Sequence, residues 1–164
     1  MAELTKLEAK LGEVAGLAMA AQAATKKVTT LAKEEHPDLV PTLERMHEEA
    51  AETERRCTEI ADGLDGKKTA ILEEARTVKS KGAEMMSTYL DADADALDGF
   101  EFLTMAEAGE VGHWSVLKKL NEKKGSQEIG ELVTWALPIQ ERHLKQVTAT
   151  SLELASGEDP DEEA

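Results

Sequence analysis

The sequence predicts an all-α protein: a bundle of four long helices, with a further helical segment crossing over between the second and the third. Three observations carry this. Apolar residues recur at spacings of three and four over long stretches, which is how a helix with one buried face reads. The composition is rich in Ala, Leu, Glu and Lys, with only 4 Pro and 3% aromatics, and this is helix composition. Breakers fall at a few places only: His36-Pro37-Asp38, Gly63 to Gly66, Asp91 to Asp95, and Gly125-Ser126.

The first helix is expected from about Ala2 to Lys33. Leu4, Leu7, Leu11, Val14, Ala18, Ala21, Thr25, Val28 and Ala32 form its stripe, and the run from 18 to 24 is nearly all small, so a neighbour can come close. Pro37 breaks the chain. Pro41 is tolerated in the first turn of the second helix, about Leu39 to Asp62, where backbone N–H groups lack partners anyway. Leu43, Met46, Ala50, Thr53, Cys57 and Ile60 are its seam, and Gly63 and Gly66 end it.

Lys67 to Leu90 is a weaker helical pattern interrupted by Gly82. It reads as a connection rather than a core helix, with Met85 and Met86 as packing residues. Asp91, Asp93 and Asp95 supply caps and negative charge where the third helix begins. That helix is expected to reach about Lys123. The fourth, about Gln127 to Leu154, carries Pro138 and is expected to kink there. Residues 1–155 then make one domain. Residues 156–164 form a Gly-, Asp- and Glu-rich tail that is expected to be disordered. Two hairpins joined by a crossover of more than 25 residues give the ferritin-like arrangement, not the up-down-up-down one.

A formal charge of −15 argues against nucleic acid as a partner, since phosphate contacts need Lys and Arg. It argues equally against anionic membranes. Cys57 is the only cysteine, so no internal disulfide forms and a reducing compartment is the default. No signal-peptide pattern or apolar run of roughly 20 residues is present, and the chain is expected in the cytoplasm.

The most informative residues are polar ones on apolar stripes. The third helix walks through Leu103, Glu107, Glu110, Trp114 and Leu117; the fourth walks through Val133, Ala136, Gln140, His143 and Val147. Carboxylates and an imidazole facing a core must be paired, protonated or bound to something. At about 1.5 Å per residue, Gln22, Glu44, His47, Glu107, Glu110, Gln140 and His143 fall within about 14 Å of one another along the bundle axis. Glu44-x-x-His47 puts a carboxylate and an imidazole on one face, as bundle-core di-iron and di-manganese sites require. Gln140-x-x-His143 has the same spacing with Gln in place of Glu.

These segments, LERMHEEAAE (residues 43–52), AEAGEVGHW (106–114) and LPIQERHLKQV (137–147), with the acidic turn before the third helix, resemble the YciF-type ferritin-like family of bacterial stress-associated proteins. The resemblance spans roughly Val28 to Ala155. It implies a bundle, often dimeric, with a Glu- and His-lined di-metal site. Carried over by position, His47 matches the second-helix ligand, Glu107 and Glu110 the third-helix acids, and Glu141 a fourth-helix acid. The chain departs from the pattern at Gln22, Gln140 and Ala108, so the implied site is degenerate.

The expected ligands for iron or manganese are therefore Glu44, His47, Glu107, Glu110 and His143, with O₂ or peroxide handling as the chemistry. A bland reading stands beside each. Glu107 and Glu110 reach solvent at a boundary, His143 is a satisfied core histidine, Glu44 and His47 are a solvated pair, and Gln22 and Gln140 hydrogen-bond within the core. Glu-to-Gln removes charge that two divalent cations need. The alternative function is a metal-free, non-catalytic bundle that self-associates or binds a partner. A homodimer is the expected oligomer, and Gly109 and Gly112 either pack against a partner helix or relieve crowding beside Trp114. A hemerythrin-like reading fails, because Ala51 stands where His47 would need a Glu four residues on. Cys57 is expected to be an inert core thiol. No phosphate loop, nucleophile elbow or zinc pattern is present.

Overall fold

Thr5 sets the start of the first helix. Its side chain accepts from the Glu8 N–H while the Glu8 carboxylate accepts from the Thr5 N–H, a reciprocal cap that satisfies two orphan donors. From there the computed structural model, which describes residues 2–163, runs through α1 (Lys6–Ala32), α2 (Val40–Gly63), α3 (Lys68–Tyr89), α4 (Ala96–Lys124) and α5 (Gln127–Ser156). A short 3-10 turn at Pro37–Leu39 leads into α2. Asp95 and Asp98 cap α4 reciprocally. Gly125 ends it with φ +74°, a left-handed conformation that suits glycine. Asn121 then brackets the turn, accepting from the Ser126 N–H and donating to its carbonyl. The first helix thus starts four residues later than the pattern predicts. Beyond Ser156 the chain is exposed.

Side-chain pairings give the directions. Gln22 meets Glu54 and Thr25 meets His47, so α1 and α2 are antiparallel. Thr104 meets Ser151 across α4 and α5. Lys10 meets His113 and Val28 meets Gly99 across α1 and α4. Glu49 meets Arg142, and Arg56 lies over the Trp135 ring at 4.0 Å, across α2 and α5. The helices α1, α2, α5 and α4 therefore close a ring in which every neighbour is antiparallel. The third helix lies outside the ring, parallel to α1, its residues 71, 75 and 82 facing 12, 16 and 20.

That α1–α3 contact corrects the expectation for Gly82, which does not interrupt α3. A Cβ there would sit 2.7 Å from the Ala20 Cβ, and one at Gly12 would sit 2.8 Å from the Ile71 carbonyl oxygen. These glycines let two backbones approach. Likewise α5 passes through Pro138 as one continuous helix. The small residues of α1 are accordingly the floor on which α3 lies.

The core comes in two apolar halves. One gathers Leu11, Val14, Ile71, Trp114, Leu117 and Val133; the other gathers Val28, Leu43, Met46, Phe100, Leu103 and Val147. Cys57 is buried in the first half, and burial pushes its thiol up to about 12, so it stays protonated and unreactive at neutral pH. None of the helices among the described residues is long and apolar enough to cross a membrane.

Gly109 and Gly112 face open space; a Cβ at either meets nothing within 4 Å. Crowding beside Trp114 is therefore not what keeps them small. In a lone chain, Gly112→Ala should stabilise by about 0.8–1 kcal/mol, because glycine costs that much in an exposed helix interior. A thermal melt showing a loss instead, with a smaller species on a sizing column, would mean a second copy packs on that face.

Candidate functional site

Between the two apolar halves lies a layer of polar side chains. Glu107 and Glu110 come from α4, Gln140 and His143 from α5; their exposures are 2%, 3%, 2% and 2%. The reason is the three-residue spacing on each helix, which stacks the pair on the face turned to the partner helix. The Gln140 amide, oriented by its hydrogen-bond network, donates to Glu107 Oε2 at 2.8 Å and to Glu110 Oε2 at 3.3 Å. His143 Nδ1 lies 3.5 Å from Glu107 Oε1, and its Nε2 lies 3.5 Å from Glu49 Oε1 on α2.

The electrostatics divide this cluster in two. Burial opposes ionisation of Glu49, but Arg142 and His143 outweigh it and hold the carboxyl below its usual range. Arg45 adds a contact at 3.1 Å. Glu49 is thus an ionised partner of a guanidinium. Glu107 and Glu110 have no such partner. Burial, and then the negative charge of Glu49, pushes Glu107 up to about 8. Burial and the neighbouring Glu107 push Glu110 up as well. Burial lowers His143 despite the pull of Glu49. Burial thus favours the protonated form of both acids and the neutral form of the imidazole.

The two acidic residues also contribute to the lining of a cleft. Where α3 and α4 diverge over α1, a cavity of about 270 Å³ opens. Small residues, among them Ala20, Ala21, Ala24 and Gly82, make its floor; Met86 and Phe102 stand at one end, Lys79 and His113 at the other, and Glu107 and Glu110 line its wall. His113 is engaged at its Nδ1, 3.1 Å from Glu13 Oε2 and 3.2 Å from the Lys10 ammonium. A mostly apolar lining with a few polar residues, here Glu107, Glu110, His113 and Lys79, is the usual make-up of a ligand site.

Of the ligands expected from sequence, Glu107, Glu110 and His143 come together. Glu44 is exposed. His47 Nδ1 lies 3.0 Å from the Gln22 carbonyl and 3.3 Å from Thr25 Oγ1, on the α1 side of α2. The Glu-x-x-His spacing does put the two on one face, but that face is not the one carrying Leu43, Met46 and Ala50. Glu141 is also exposed, on the far side of α5. Sequence reasoning missed Glu49 and Arg142. The available signal was that each sits one position before a buried residue, Ala50 and His143, on the facing flanks of two neighbouring helices.

A two-metal bundle centre draws carboxylates from four helices and two imidazoles. Here α1 offers Gln22, whose amide is bonded to Glu54 and to the Ala18 carbonyl. The other helices offer three carboxylates and one imidazole, with the Arg142 cation bound to one of those carboxylates. That donor set does not fit two divalent cations. Among the described residues no group of three or more His, Cys, Asp or Glu side chains is placed to hold a metal ion. No family model matches this chain, and neither a curated protein nor a solved structure matches it.

Proposed function

We propose that this chain is a non-catalytic ferritin-like bundle that binds a small, largely apolar molecule in the cleft over α1, between α3 and α4. The ferritin-like assignment is supported by the antiparallel ring with one long crossover between its second and third members. The binding reading rests on one observation: a buried acid pair, 2% and 3% exposed, in the wall of a mostly apolar cavity of about 270 Å³. Perturbed titratable groups in a cleft are candidates for a functional site.

The test uses a neutral fluorescent cavity probe, 1-aminoanthracene. Its emission should rise and shift to the blue with the wild-type chain. Ala106→Phe, which fills the cleft from α4, should abolish the change while leaving the circular dichroism intact. Equal emission from both proteins, or none from the wild type, overturns the reading. So does a content near two iron or manganese ions per chain in untagged protein after anaerobic loading, which would restore a two-metal function.

A further inference from the structure

The proposed binding function leaves the chemistry of the ligand open, and the charge distribution around Glu110 narrows it. Resting on that reading, we infer that the ligand is an apolar amine, with its ammonium seated on Glu110 and Glu107 and its hydrocarbon body along the α1 floor toward Met86 and Phe102.

Glu110 is a buried acid without a counter-ion. Its side-chain partner is the neutral Gln140 amide, at 3.3 Å. The titratable groups that act on it are Glu107 on its own helix and His143 on α5, with Glu49 and Arg142 behind His143. Arg142 is bound to Glu49 through Nη2, its Nη1 being buried without a partner, and His143 lies between Glu49 and Glu107. The cleft-facing residues of α1, Leu17 to Ala24, carry no charge, and the only cation that α3 offers is the exposed Lys79 at the mouth. The position can thus be completed from outside, by a donor cation entering along the cleft.

An ammonium brings three donors and a full positive charge. It would allow Glu110 to ionise, with that proton leaving to solvent, and would replace a neutral contact by a charge-assisted one. A carboxylate ligand would instead bring a third acid against two. The cleft is also amphipathic along its length, polar toward Glu110 and His113 and apolar toward Phe102 and Leu103. A chain charge of −15 raises the local concentration of cations at the mouth.

The experiment displaces bound 1-aminoanthracene with n-hexylamine, 1-hexanol or hexanoate at pH 7.5, in wild type and Glu110→Gln. Hexylamine is expected to bind at least tenfold tighter than hexanol. Glu110→Gln should cancel that preference and leave hexanol within twofold. Calorimetry of hexylamine in two buffers of different ionisation enthalpy should show proton release in wild type and none in Glu110→Gln. If hexanol competes as well as hexylamine, or the variant weakens both equally, the amine assignment fails while the apolar site stands. If hexanoate binds tightest, the head group is an anion read at Lys79 and His113, and the assignment fails. If the probe itself does not bind, the underlying binding function fails first.

Discussion

The melting temperature of this protein is expected to fall as the pH is raised from 6.5 to 8, and the double variant Glu107→Gln/Glu110→Gln is expected to lose most of that fall. In the unfolded chain both carboxyls lose their protons near 4.5; in the fold burial pushes Glu107 up to about 8 and raises Glu110 too. Unfolding therefore releases protons across this interval, and raising the pH favours the unfolded state. The stabilisation is complete below about 4.5 and is lost as the pH climbs through the folded values. His143 runs the other way. Its lowered value opposes the fold where the unfolded imidazole is protonated, so it offsets part of the fall near pH 6.5 and adds little above about pH 7.5. Each retained proton is worth about 1.4 kcal/mol per pH unit, and about 2–4 °C accompany each kcal/mol in a chain of this size. A fall of several degrees is expected. A flat or rising wild-type curve would mean that the acids are ionised in the fold.

Gly16→Ala is expected to destabilise by about 2 kcal/mol or more, although alanine is the better helix former by about 1 kcal/mol. The new Cβ would land on the Ala75 carbonyl oxygen and 2.7 Å from the Val78 Cβ. One of those neighbours is backbone, so no rotamer change relieves it; α3 must move away from α1. Hydrogen exchange should speed up along α3 while α5 keeps its protection. The contrast with Gly112, where the same substitution should stabilise, isolates packing from propensity. An unchanged or higher melting temperature in Gly16→Ala would show that α3 does not press on α1.

Most of the helices could be read from the chain because each has a local cause. Leu43, Met46 and Ala50 repeat with the helix, and Asp95 and Gly125 carry their own capping chemistry. The polar layer was legible for a related reason: Glu107, Glu110, Gln140 and His143 break stripes that are otherwise apolar, and a break in a regular pattern is visible without any partner. The packing of α3 was not. It sets Ile71 and Ala75 against Gly12 and Gly16, and small-residue contacts leave little hydrophobic signature. Glu44 and His47 misled because spacing fixes a shared face but not its direction. The Glu49–Arg142 pair joins residues far apart in sequence and depends on how two helices are turned, which no local pattern records. The cleft is a divergence between helices, and sequence gives no sign of it.

The parallel run of α3 along α1 also bears on how the molecule assembles. Each antiparallel hairpin is closed by a short loop and forms from contacts near in sequence, which is fast. Joining them carries the closure entropy of the long connecting segment. Once α3 has zipped onto α1, the free strand shrinks to the few residues between Leu90 and Ala96. The chain is then already at the end of α1 where α4 must begin. The crossover acts as a guide rail, and Gly16→Ala is expected to slow refolding as well as to loosen the finished fold.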